Sequence, residues 1–138
     1  MNLHELSQLY YIELEIKAYR DKIAELRELA ESISPNYSGM PSGGSQNHSK
    51  VESAALSIVA YMEMLDKAIQ EKVETSKRIH AYILDCPDAQ TRQIMFLRFV
   101  QCKSWGEIAR RIGGNNTASA VRMRAIRYID GGKKNATD

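Results

Sequence analysis

Leu9, Ile12, Ile16, Tyr19, Ile23, Leu26, Ala30 and Ile33 are spaced alternately by three and four residues, and Glu, Lys, Arg and Asp dominate between them. A heptad stripe sustained this long predicts one long helix packed against another. Its expected span is residues 3–32. A second stripe, Val51, Ala55, Ile58, Met62, Leu65 and Ile69, falters at Lys72 and Ser76 and resumes at Ile79 and Ile83. It predicts a helix over residues 50–84. Between the two, residues 34–49 contain two prolines, three glycines and five serines. That composition predicts a flexible connector, long enough for the helices to pair antiparallel. A two-helix hairpin has little interior of its own. Leu9, Ile12, Ile16, Tyr19, Ile23, Leu26, Ile58, Met62, Leu65 and Ile69 are therefore candidate oligomerisation residues, with a dimer the expected homo-oligomer.

The pattern changes at Asp85-Cys86-Pro87-Asp88, because proline suits the first turn of a new helix and not the interior of an old one. Residues 88–100 form the next expected helix. Ser104-Trp105-Gly106-Glu107 fits a capping box, and Trp105–Ile112 follows with Ile108, Ala109 and Ile112 on one face. Gly113-Gly114 stops that helix. Asn115 and Asn116 offer side-chain oxygens to cap a third helix over Thr117–Ile129, with Val121, Ala125, Ile129 and Ile126 facing inward. Gly131-Gly132 is expected to end it. The predicted fold is all-α: a coiled-coil-like antiparallel hairpin over residues 1–85, a three-helix helix-turn-helix module over 86–132 and a basic tail over 133–138.

Charge sharpens this division. The whole chain carries 19 basic and 17 acidic residues, a net of only +2. Residues 1–85 hold nine basic and thirteen acidic residues, a net of −4, and residues 86–138 hold ten and four, a net of +6. The basic surplus lies on the module expected to meet nucleic acid. No apolar run approaches the ~20 residues of a membrane span. Met1 to Leu6 lacks a basic region followed by an apolar stretch, so a cytoplasmic protein is expected. Cys86 and Cys102 are the only cysteines; both are expected as thiols, and neither pairs with His80 at metal-ligand spacing. The acidic pairs Glu13/Glu15 and Asp85/Asp88 lack a catalytic context and read as surface or capping groups. No enzyme, metal or cofactor is expected.

In a helix-turn-helix the last helix enters the major groove. Asn115, Asn116, Thr117, Ser119, Ala120, Arg122, Met123, Arg124 and Arg127 are the candidate base or groove contacts, since arginine can bind guanine with two parallel donors. Lys103, Ser104, Arg110, Arg111, Lys133 and Lys134 are the candidate phosphate contacts, which add affinity without sequence information. Trp105 reads as a packing residue.

Arg98-Phe99-Val100-Gln101-Cys102-Lys103-Ser104-Trp105-Gly106-Glu107-Ile108-Ala109-Arg110-Arg111-Ile112-Gly113 resembles the helix-turn-helix of sigma-70 region 4. The stretch from Ile112 to Met123 looks like the variant in phage and prophage regulators of Gram-positive bacteria, and the first helix and the Ser38-Gly39-Met40-Pro41-Ser42 loop are similar to theirs. The resemblance implies a phage or prophage regulator similar to the RinA and ArpU late-gene activators, acting in the cytoplasm of a bacterial host. It implies double-stranded DNA as partner, host RNA polymerase as a further one, Ser104–Ile112 as supporting helix and Thr117–Tyr128 as recognition helix. Relative to sigma-70 region 4 the chain carries about two extra residues between Gly113 and Val121, so a longer turn or an earlier last helix is expected. The alternatives are a small terminase-like DNA-recognition subunit and a module that binds RNA polymerase or another protein.

Overall fold

The computed structural model describes the backbone of residues 1–32 and 44–136 and the side chains of residues 1–32 and 49–132. The fold is all-α, in the order α1 (Leu3–Leu6), α2 (Gln8–Ser32), α3 (Gly44–Leu84), α4 (Ala89–Met95), a π-helical turn (Phe96–Val100), α5 (Trp105–Ile112) and α6 (Ala118–Ala136). No strand occurs among the described residues.

The first predicted helix is interrupted only at Ser7. Its hydroxyl donates to the Leu3 carbonyl at 2.8 Å while its amide reaches both Leu3 and His4 carbonyls, a back-bonded arrangement of the kind that bends helices. A complete capping box, which the sequence reading had placed elsewhere, opens α1. Glu5 N–H donates to Asn2 Oδ1, and Asn2 N–H donates to Glu5 Oε2, both at 2.8 Å.

α3 begins at Gly44, six residues before the expected start at Lys50, so residues 44–49 are helical rather than connector. Extending an existing helix fixes one residue per added hydrogen bond and avoids the costly nucleus, so polar residues can join its start. The rest of the predicted connector, 34–43, lies outside the described residues.

The chain divides into two compact units, Met1–Glu13 with Glu71–Asp138, and Leu14–Gln70. Packing therefore divides the molecule differently from charge, because the first unit takes in both the start of α2 and the end of α3. Its core joins Leu6, Leu9, Ile79, Ile83, Cys86, Ile94, Met95, Leu97, Phe99, Ile108, Ala109, Val121, Ala125 and Ile129. Glu13 pairs with Lys72, and the Tyr82 and Tyr128 rings lie 5.8 Å apart.

The second unit is a helical pair. Ile16 and Ile23 of α2 and Ala54 and Ala68 of α3 are buried, and the Tyr19 and Tyr61 rings lie 6.2 Å apart. The inward column of α3 differs from the predicted one. Val51, Ile58 and Leu65 are half-buried as expected, but Ala54, Tyr61, Ala68 and, further along, Thr75 alternate with them. Ala55 and Met62 are exposed instead, and Ile69 is half-buried. The columns 54/61/68 and 55/62/69 flank the same central column, and both carry apolar residues. The tilted contact between Tyr19 and Tyr61 and the small alanines, which let helices approach closely, decide between them.

Candidate nucleic-acid interface

The site is built where α4, α5 and α6 share the core of the first unit. Asp88 caps α4: its carboxylate accepts from Thr91 N–H at 2.9 Å and from the Thr91 hydroxyl at 2.6 Å. These two bonds, with the charge of Arg124 adding to them, hold the carboxyl below its ordinary value. The expected start at Asp88 moves to Ala89 for this reason, with Pro87 just outside the helix.

α4 widens at its end into the π-helical turn, closed by Gln101 N–H on the Phe96 carbonyl at 3.1 Å. The wider turn points both Leu97 and Phe99 into the core. Cys102 then takes a left-handed conformation, φ 57°, that few residues other than glycine adopt. The loop is secured by Arg98, whose Nη1 donates to the Lys103 carbonyl at 3.0 Å and whose guanidinium lies 4.6 Å from the Trp105 ring centre. Trp105 also packs edge-on against Phe99, as its packing reading expects. Burial, with Glu13 nearby, pushes the Cys102 thiol up. Leu6, Ser7, Tyr10, Tyr11, Arg98, Phe99, Cys102 and Ser104 line a cavity of about 330 Å³ beside it. Among the described residues no group of three His, Cys, Asp or Glu side chains is placed to hold a metal ion.

Ser104 caps α5, accepting from Glu107 N–H at 3.2 Å. The predicted capping box is only half formed. Glu107 turns to Lys103 at 3.9 Å and Arg111 at 3.5 Å, two cations within reach that compete for its carboxylate. Of the predicted phosphate contacts, Lys103 and Arg111 are thus ion-paired, Ser104 is a cap, and Arg110 is exposed. Lys133 and Lys134 lie on helical backbone, with side chains outside the described residues.

Gly113 and Gly114 end α5 in left-handed conformations, φ 77° and 66°, where any side chain would be strained. The turn runs over residues 113–117, longer than the three to four residues of a typical helix-turn-helix. Asn116 closes it, donating from Nδ2 to the Gly113 carbonyl at 2.9 Å. The cap of α6 is Thr117, not Asn115 or Asn116: Thr117 Oγ1 accepts from Ala120 N–H at 3.1 Å. The Nδ2 bond turns the Asn116 side chain back toward Gly113, and the cap falls to the next polar residue. Gly131-Gly132 does not end α6, which continues to Ala136. Neither glycine takes the left-handed conformation that a helix stop requires. The extension brings exposed Asp130 onto α6.

Val121, Ala125 and Ile129 are buried and Ile126 is half-buried, as the inward reading of α6 expects. Asn116, Thr117, Ser119, Ala120, Met123, Arg124 and Arg127 line one open groove of about 600 Å³, with the buried Val121 and Ile94 of α4 beneath them. Arg122 lies outside it. Arg122 and Arg124 are two residues apart and therefore ~160° apart around the helix. Asn115 is exposed on the turn and also outside the groove lining.

The sequence reading missed the α4 side of this groove. Gln90 Oε1 accepts from Arg124 Nη1. The two residues are 34 positions apart, and nothing in local periodicity links them. No protein-family model, curated protein or solved structure matches the chain.

Proposed function

We propose that this chain is a sequence-specific double-stranded DNA-binding transcription regulator, phage or prophage encoded and acting on late genes, as its resemblance to sigma-70 region 4-like regulators implies. In this reading α5 supports and α6 is the recognition helix of a helix-turn-helix. The groove along α6 carries the reading. It combines two arginines with short polar and apolar side chains, a surface that admits base edges closely and offers them donors. Arg122, on the opposite flank of α6, and Arg110 on α5 then contact phosphate. A second copy completes the binder, so that two α6 helices meet successive half-sites ~34 Å apart.

Selection of bound duplexes from a random pool, with the mass of the complex measured alongside, tests this. The expected outcome is a short two-fold-related sequence bound by a dimer at physiological salt. Equal retention of all sequences rejects the reading. A ring of many subunits favours DNA packaging, and polymerase binding without a preferred DNA sequence favours a protein-interaction module. Arg110→Ala is expected to weaken binding to all duplexes and lower the slope of log K against log salt by about one.

A further inference from the structure

Arg122, Arg124 and Arg127 are all exposed on α6, but they are not equivalent. Among the described residues, Arg122 and Arg127 make no side-chain hydrogen bond or ion pair. Arg124 alone is held from another helix, by the amide oxygen of Gln90 in the first turn of α4. The acceptor is neutral. The amide orients the guanidinium through one donor, and the Asp88 carboxylate at the start of α4 also feels its charge. Guanidinium has five N–H donors. With Nη1 on Gln90, the Nε–H and Nη2–H edge remains, a fork of two parallel donors matching guanine O6 and N7. Ile94, one turn along α4, lines the groove that Arg124 borders.

We propose that Gln90 is a positioning residue that holds Arg124 for recognition of one guanine. The proposal rests on the DNA-binding reading and adds the α4 residue that reading lacks. Ordering a long arginine side chain costs conformational entropy at the moment of binding. Gln90 meets part of that cost in the free protein, so Arg124 discriminates at one base pair while Arg122 and Arg127 are ordered only on contact.

Two measurements on the full chain test this. In the free protein, nuclear magnetic resonance relaxation of the arginine Nε–H groups is expected to show Arg124 more ordered than Arg122, and Gln90→Ala to remove the difference. Unchanged Arg124 order in that variant overturns the proposal whatever the protein binds. With the selected duplex and its single-base variants, Arg124→Ala is expected to lose roughly 5- to 150-fold discrimination at one base pair. Gln90→Ala is expected to lose about 3- to 10-fold at that same pair, the scale of one side-chain hydrogen bond. The double variant should match Arg124→Ala, because coupled residues are not additive. Undiminished discrimination in Gln90→Ala, or an equal loss on every duplex, overturns the positioning role and leaves the DNA-binding reading standing. If the wild-type chain selects no sequence, the DNA-binding reading fails and this proposal fails with it.

Discussion

The two compact units close their interiors differently. In the unit of residues 1–13 and 71–138, large side chains from many elements meet in one cluster, and Leu6, Ile79, Ile94, Met95 and Ile108 are completely buried. In the unit of residues 14–70, two helices close one seam, and the most buried residues of α3 there are alanines. That helix also leaves Leu56, Val59, Met62 and Met64 exposed. A close-packed cluster approached from several directions fixes the orientation of each helix. A single seam fixes register along two helices and little else. The proposed α6 groove is built on the first kind of interior.

Truncation should break this contrast most strongly. Ile108→Ala is expected to cost about 2–5 kcal/mol in urea denaturation, because the cavity cannot collapse against helices held on other sides. The corresponding change at the exposed Val59 should stay within about 0.5 kcal/mol. Next comes overfilling of the seam: Ala68→Leu should destabilise residues 14–70 by about 1–3 kcal/mol. Amide exchange should show the loss confined to α2 and α3 if the units respond separately. Smaller again are the caps of α5 and α6. Ser104→Ala and Thr117→Ala should each cost about 0.5–2 kcal/mol. The second should also increase amide exchange in the first turn of α6.

The smallest expected effect is alkaline. Burial, followed by their mutual charge for Tyr82 and the nearby Cys86 for Tyr128, pushes both phenols up. A folded-state value above the unfolded one gives stability that is present below about pH 10 and lost as the pH rises through the folded value. Thermal melts should therefore fall above about pH 10, and Tyr128→Phe should flatten that fall.

The helical fold was legible because period and punctuation agree over most of the chain. α5 runs from Trp105 to Ile112 as the sequence predicts, since Ser104 caps it and Gly113 stops it within eight residues. The inward face of α6 was legible for the same reason. Three things were not. The inward column of α3 was ambiguous because apolar residues flank the central column on both sides, and only the contact between Tyr19 and Tyr61 and the fit of Ala54 and Ala68 choose. The glycines at 131 and 132 read as a stop, but a glycine stops a helix only when the chain turns left-handed there. The α4 contribution was invisible because Ile94 lines the groove, and Gln90 meets Arg124, through tertiary packing. Of the predicted base contacts, the groove gathers seven and leaves out Asn115 and Arg122. Both arginines were candidate base contacts, but two residues along a helix put them ~160° apart, and only Arg124 lines the groove.

The central claim is that α6 reads DNA through this groove. Titration of the isotope-labelled chain with its selected duplex, followed by amide and side-chain shifts at physiological salt, tests it most directly. The account predicts changes concentrated at Thr117, Ser119, Ala120, Met123, Arg124 and Arg127, with smaller, salt-sensitive changes at Arg110 and Arg122. An unrelated duplex should move only the second group. Identical changes with both duplexes, or changes centred on α2 and α3 with α6 undisturbed, would contradict it.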